Sequence, residues 1–312
     1  MKGIEKILVT PRAVTHAGHP SLAHLDGAGY EVLLAPAGRQ PSEDELVRLL
    51  PGCVGYLAGV EPVTRRVLDS AADLRVISRN GTGVDSIDLA AAESRGIPVL
   101  RAEGANARAV AELALGLVFA LARDIPQCDR WVKDGEWKRG NGVELEEKTL
   151  GLVGCGRIGR AVAKMALGVG MKVVAFDAYP DESFAPSPHF RQGALEEVLA
   201  KSDFLSFHCP PPSGGRPILD TAALAKMKRG SFLINTARHE VLDAEAVLAA
   251  LDSGHLAGAA LDVFDAEPPR DTRLARHPRI IATAHIGAFT RESVDRAMYA
   301  AVENLLRALR GK

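Results

Sequence analysis

The sequence predicts an α/β chain built from two doubly wound parallel-sheet domains. Three observations carry that expectation. Short β-branched runs alternate with helix-like segments from end to end, the order that lays parallel strands in a sheet with helices on both faces. The alternation is interrupted once, by a long apolar helix and the tryptophan-bearing stretch "WVKDGEWKRGNGVELEEK". The length, 312 residues, suits two domains of ordinary size.

"KILVT" is the first strand, followed by a helical stretch ending near Gly27–Gly29 and a second strand, "EVLLAP". "SEDELVRLL" is a helix with Ser42 as its N-cap and Glu45 three residues on, the capping-box spacing. "VGYLAG", "LRVISRNG" and "IPVLRA" complete the first set of strands. "VAELALGLVFALA", residues 110–122, is broken by Glu112 and falls short of the ~20 residues that cross a bilayer, so it reads as a buried helix. In the second half the strands are "TLGLVG", "MKVVAFD", "DFLSFH", "FLIN", "LAGAALDVF" and "RIIATAH". A helix begins at Arg157, a Pro/Ser-rich loop runs through "PDESFAPSPHF", and "LEEVLAKS" is helical. "DAEAVLAALDSG" is a helix capped by Asp243 and stopped by Gly254. "TRESVDRAMYAAVENLLRALR" closes the chain as an amphipathic helix, its apolar residues three and four apart.

Composition narrows the function classes. Hydrophobic residues make up 47% and charged residues 25%, the balance of a globular protein. The net charge of −1 and the lack of a basic stretch argue against a nucleic-acid partner. "MKGIEKILVT" has too short an apolar run for a signal peptide, so a cytoplasmic protein without a membrane partner is expected. Cys53, Cys128, Cys155 and Cys209 have no paired spacing, so they read as free thiols and no metal site is expected.

"GLVGCGRIGRAVA" holds Gly154-x-Gly156-x-x-Gly159. Among 30 glycines such a match alone is weak, but here an apolar strand precedes it, a helix follows, and Asp177 ends the next strand. Gly154 permits the tight turn, Gly156 lets backbone approach a pyrophosphate, and Gly159 lets helix and strand pack closely. The helix N-terminus offers unpaired N–H groups to the anion. Asp177 accepts hydrogen bonds from a ribose and its charge repels a 2′-phosphate, so NAD is favoured over NADP.

Ligands of a doubly wound sheet sit outside the carboxyl ends of its strands. Three polar residues fall there: Arg238 after "FLINTA", Glu267 in "DAEPP" and His285 after "IIATA". Taken singly, these read as a surface arginine, a turn carboxylate and a structural histidine. Together, downstream of a dinucleotide turn, they suit one chemistry. Arg238 grips a substrate carboxylate with two prongs. His285 donates a proton to a ketone oxygen as hydride reaches its carbon. Glu267, paired with the imidazole, stabilises its protonated form and fixes its orientation. His208 and His255 lack such company and read as structural or cofactor-flanking.

At this point the chain resembles the D-isomer-specific 2-hydroxyacid dehydrogenase family, in particular its D-3-phosphoglycerate dehydrogenase-like branch. The resemblance runs over nearly the whole length, through "SRNGTGVDSIDL" (78–89), "GANARAVAELALG" (104–116), "GCGRIGR" (154–160), "NTAR" (235–238), "AGAALDVFDAEPP" (257–269) and "AHIGA" (284–288). It implies a flavodoxin-like substrate domain from 1–101 and 287–312. A Rossmann NAD-binding domain follows from 102–286, with a cleft between the two and a dimerisation arm at about 124–147 around Trp131–Arg139. It places the catalytic arginine, glutamate and histidine on Arg238, Glu267 and His285. Its cofactor contacts fall on Gly154, Gly156, Arg157, Ile158, Gly159, Asp177, Cys209, Thr236, Ala237, Asp262 and Gly287. Arg79, Asn80 and Gly81, in the loop Asn80–Gly83, would meet the substrate.

The implied activity is hydride transfer between NAD and a small D-2-hydroxyacid, with a 2-oxoacid as product and a homodimer as the assembly. Glyoxylate or hydroxypyruvate reduction is an alternative, and an NAD(H)-sensing binding protein of the same fold a non-enzymatic one. A formate enzyme is disfavoured, because that branch carries glutamine where Glu267 stands. The chain departs from the family pattern in two places. His239–Glu240 follows Arg238 where glycine is usual. Ala58 stands at a strand end where phosphoglycerate enzymes tend to place arginine, leaving Arg79 and a partner's Arg139 for anions.

Overall fold

The strand-like runs of the sequence contain little polar alternation, and the computed structural model, which describes residues 4–311, explains why: both faces of each sheet are covered. Two compact units result, one comprising the residues through Asn106 together with those from Arg291 onward, the other Ala107–Thr290. The sequence places these boundaries at 101/102 and 286/287. In the structure Ala102–Asn106 stays with the first unit, where Ala102 and Ala105 pack on Ala297 of the returning helix.

The first unit holds β1 (Lys6–Val9), β2 (Glu31–Leu34), β3 (Cys53–Ala58), β4 (Val76–Arg79) and β5 (Val99–Arg101), all parallel in the order β2-β1-β3-β4-β5. That is the flavodoxin-like order, whose direction reverses between β1 and β3. Side chains alternate across the sheet. Leu8, Tyr56 and Ile77 face one layer, with Leu46, Val67 and Leu68 from helices Glu43–Leu49 and Arg65–Ser70. Ile7, Val9, Leu57 and Val76 face the other, with Met298, Ala301, Val302 and Leu305 from helix Arg291–Leu309. The C-terminal helix therefore completes the core of the N-terminal sheet. The expected capping box is present: Ser42 Oγ accepts from Glu45 N at 3.3 Å, and Glu45 Oε2 accepts from Ser42 N at 2.8 Å.

The second unit has seven parallel strands: β6 (Thr149–Val153), β7 (Lys172–Phe176), β8 (Phe190–Gln192), β9 (Phe204–Phe207), β10 (Ser231–Asn235), β11 (Leu256–Leu261) and β12 (Ile280–Ala282). Their order is β12-β11-β10-β9-β6-β7-β8. The sequence does not predict β8. It is three residues long, sits at the edge beyond a Pro/Ser-rich loop, and offers no periodicity. The expected buried helix runs from Ala107 to Ala122; Val110, Ala114, Leu117, Val118 and Leu121 are buried, while Glu112 lies on the exposed face. Asp243 caps its helix through Ala246 N at 3.1 Å, and Gly254 ends it with φ of +67°. Among the described residues no helix is long and apolar enough to cross a membrane.

Candidate active site

The three glycines of the turn after β6 are required for three different reasons. Gly154 has φ of +99°, and a Cβ there would lie 2.6 Å from the carbonyl carbon of His208 and 2.7 Å from the amide of Cys209. A Cβ on Gly159 would lie 2.1 Å from the Gly154 oxygen, so helix Arg157–Gly168 approaches the strand end only because that side chain is missing. Gly156 is exposed, and a Cβ on it would meet nothing within 4 Å. Its absence matters to what comes from outside. No side chain caps this helix, so its first N–H groups face the approach to Gly156.

Asp177, following β7, accepts from Cys155 N at 2.6 Å and Tyr179 N at 2.9 Å, which ties the acidic residue to the turn. Arg157 is exposed beside Gly156, while Ile158 packs into the core. His208 follows β9; its Nε2 meets Ser206 Oγ at 2.8 Å, and burial pushes its pKa down to about 3, so the ring is neutral. Its Nδ1 and the Thr236 hydroxyl are buried without hydrogen-bond partners among the described residues. Open space over Gly156, an uncapped helix end, an anchored carboxylate and these two orphan groups fit a dinucleotide. Burial pushes the thiols of Cys155 and Cys209 up to about 11, so both stay protonated at neutral pH.

The carboxyl ends of the neighbouring strands β10, β11 and β12 carry Arg238, Glu267 and His285 on the loops that follow them. Buried Asn235 shapes the first loop, taking Ala237 N on its Oδ1 at 3.0 Å and donating Nδ2 to the Arg238 oxygen at 2.8 Å. Arg238 Nη1 donates to the Ala237 oxygen at 2.8 Å. His285 and Glu267 meet: Nδ1 lies 2.7 Å from Oε2 and 2.9 Å from Oε1. Both side chains are close to half exposed, at 47% and 42%, so the pair is reachable from outside.

His285 has φ of +51°, a left-handed conformation that a residue with a Cβ adopts at a cost. Asp262, 1% exposed, holds it there. Its main-chain oxygen accepts His285 N at 3.0 Å. Its carboxylate accepts Thr283 Oγ1 at 2.6 Å, Ile286 N at 2.8 Å and Gly287 N at 2.9 Å. A Cβ on Gly287 would lie 3.0 Å from that carboxylate. Asp262 and Gly287 thus bond to each other within the turn that carries His285. The sequence alone left Asn235 and Thr283 without a role; the available signal was a polar residue closing each of two otherwise apolar runs.

In the first unit, Arg79 ends β4 and is 8% exposed, its Nη1 donating to the Asn80 oxygen at 2.7 Å. The N–H groups of Asn80 and Gly81 are engaged within the unit, with the Ala58 oxygen at 2.9 Å and the Arg79 oxygen at 2.8 Å.

Residues 115–287 match the family model described as D-isomer specific 2-hydroxyacid dehydrogenase, NAD binding domain. The chain is 41% identical over 258 residues to D-3-phosphoglycerate dehydrogenase of Rattus norvegicus, covering 82% of this chain but 48% of that protein. It thus spans about half the length of the phosphoglycerate dehydrogenases it matches. With hydroxypyruvate reductase of Thermotoga maritima it shares 39% identity over 273 residues, 86% of this chain and 88% of that one. A crystal structure of a Thermus thermophilus protein superposes with a TM-score of 0.87 at 39% identity, covering 98% of this chain and 97% of the other. With a matching domain model over more than half its length and a relative aligned along more than four-fifths of both chains, the protein belongs to the D-isomer specific 2-hydroxyacid dehydrogenase family.

Proposed function

We propose that this chain is an NAD-dependent D-2-hydroxyacid dehydrogenase, interconverting a small polar D-2-hydroxyacid and its 2-oxoacid. The observation that carries the reading is the His285–Glu267 pair at the ends of β12 and β11. Arg238 lies at the end of the next strand, in a sheet that also bears the glycine turn. NAD, when bound, supplies the hydride acceptor. The glycine turn would hold its pyrophosphate, Asp177 its adenosine ribose, and Thr236 and Ala237 belong to the same lining.

With Nδ1 held by Glu267, the Nε2 atom of His285 is the one presented to substrate. In the oxidative direction Nε2 takes the proton of the 2-hydroxyl; in the reductive direction it returns that proton to the 2-oxo oxygen. Glu267 keeps the ring in one orientation and stabilises the imidazolium while the proton resides there. Arg238 binds the substrate carboxylate. The loop Arg79–Gly81 is the further substrate contact. Because the N–H groups of Asn80 and Gly81 are engaged internally, its contribution comes from the Arg79 side chain and from Thr82 and Gly83.

Hydroxypyruvate reduction is the favoured form of the activity, with glyoxylate as a related substrate, because the hydroxypyruvate reductase aligns over 88% of its length and the phosphoglycerate dehydrogenases over about half of theirs. The assembly we propose is a cytoplasmic homodimer. Helix Ile125–Lys133 buries none of its own residues, and Trp137 beyond it is 80% exposed, as an arm seated on a second copy would be. The test is NADH formation or consumption with a panel of 3-phosphoglycerate, glycerate, glycolate, lactate and malate and their 2-oxoacids. Turnover of at least one is expected; cofactor binding without turnover of any would overturn the assignment.

A further inference from the structure

Arg160 is the fourth residue of helix Arg157–Gly168, one turn past Gly156, and it bonds in two directions at once. Its Nε donates to the Cys155 oxygen at 3.0 Å, and its Nη1 lies 2.8 Å from Asp181 Oδ2. Cys155 stands between the first two glycines of the turn, and its N–H goes to Asp177 Oδ2 at 2.6 Å. Both backbone polar groups of Cys155 are thus held by side chains, the N–H by Asp177 and the oxygen by Arg160.

The other end of the guanidinium fastens the loop between β7 and β8. Asp181 is the knot of that loop. Its Oδ1 accepts from the N–H and the hydroxyl of Ser183, and its main-chain oxygen takes Phe184 N and Gln192 Nε2, each at 3.1 Å. The Arg160 guanidinium carbon also lies 5.2 Å from the centre of the Phe184 ring, which meets Phe190 of β8 edge to face. Lys164, one turn further along the helix, stands over the same ring at 5.8 Å.

These bonds close a circuit around Asp177. Its carboxylate is aimed by one N–H from the glycine turn, that of Cys155, and by one from the loop, that of Tyr179 at 2.9 Å. Arg160 ties those two segments to each other through Cys155 and Asp181. If the two segments drifted apart, the two donors would no longer point at one carboxylate. Arginine suits the task because its nitrogens sit in a rigid fork, whereas a lysine has a single head.

We propose that Arg160 is a positioning residue for the cofactor, holding the β7–β8 loop against the glycine turn so that Asp177 keeps the orientation in which it accepts the hydroxyls of an adenosine ribose. The inference rests on the reading above that Asp177 receives that ribose. Arg160 acts through Asp177 and not on the reacting atoms, so its loss weakens binding and spares the chemical step.

The test measures the affinity for ADP-ribose, which lacks the nicotinamide, by titration calorimetry, together with steady-state reduction of hydroxypyruvate by NADH. In Arg160→Ala the Kd for ADP-ribose and the KM for NADH are each expected to rise about 10-fold. The kcat and the KM for hydroxypyruvate stay at their wild-type values. Asp181→Asn removes the loop end of the tie, and a loss of about 3-fold is expected. The double variant should bind no more weakly than Arg160→Ala alone, because both changes cut one connection. A folded Arg160→Ala protein with wild-type affinity for ADP-ribose overturns the proposal, even if it melts at a lower temperature. Strictly additive losses in the double variant also overturn it. Should Arg160→Ala fail to fold, unchanged affinity in Asp181→Asn overturns it and a weakened one supports it. A wild type that does not bind ADP-ribose is a separate result, removing the reading of Asp177 itself.

Discussion

His285 gives its backbone N–H to the main-chain oxygen of Asp262 at 3.0 Å, and the Asp262 carboxylate takes the N–H groups of the next two residues. One buried side chain thereby closes the turn that holds a histidine at φ of +51°. Strain of this kind persists only where the surroundings over-determine it. Asp262 lies at the end of β11 and His285 beyond β12, so two neighbouring strands are coupled through the loop that presents the imidazole.

Asp262→Ala removes three hydrogen bonds to a buried carboxylate and leaves the His285 turn without its clamp. We expect a loss of about 3 kcal/mol in unfolding free energy, measured by urea titration. Turnover should fall ~10²-fold as the imidazole loses its place. Wild-type turnover in a folded Asp262→Ala protein would separate the turn from the reaction.

His285→Ala should lower turnover ~10²–10⁴-fold with cofactor affinity retained, as expected for the loss of a general acid. Glu267→Gln keeps the size of its partner but removes its charge, and an intermediate loss of ~10–10²-fold is expected. Steady-state kinetics together with NADH fluorescence titration distinguish these from a binding defect.

Gly156 and Gly159 should respond to alanine in opposite ways. At Gly156 a Cβ meets nothing, so Gly156→Ala should change stability by less than ~0.5 kcal/mol while weakening NAD binding ~10-fold or more. At Gly159 a Cβ would meet the Gly154 oxygen at 2.1 Å, so Gly159→Ala should cost about 2 kcal/mol or more before any ligand is added. Thermal unfolding with and without NAD reads both effects.

The neutral His208 sets a pH dependence. Its folded pKa of about 3 lies below the ordinary 6.5, so between those values the unfolded chain binds the extra proton. The contribution is therefore complete above pH 6.5 and is lost as pH falls toward 3. Its slope is at most ~1.4 kcal/mol per pH unit. Carboxylates add their own slopes, so the quantity to measure is the difference between wild type and His208→Asn across that range. A difference independent of pH would show that the ring is protonated in the native state.

The alternation of strands and helices apart from β8, the cap at Ser42, the buried helix over 110–122 and the glycine turn were legible in the sequence. Each depends on residues close together along the chain: apolar periodicity, a hydroxyl before a helix, three glycines at fixed spacing. The sequence also put Arg238, Glu267 and His285 at the ends of three strands, because a polar residue after an apolar run marks a sheet edge. Which of them touch was decided by tertiary structure. The β12-β11-β10 order brings Glu267 to His285, and the fold turns Asp262 inward to hold the next turn. Glu61 shows the same division. In sequence it is one acid before a proline in "VEPVT"; only the adjacency of β1 and β3, 44 positions apart from Val9 to Cys53, buries it with Thr10 and Tyr56. Local pattern specifies what a segment becomes, but contacts between distant segments arise from which apolar faces pack together, and no short window of the sequence contains that information.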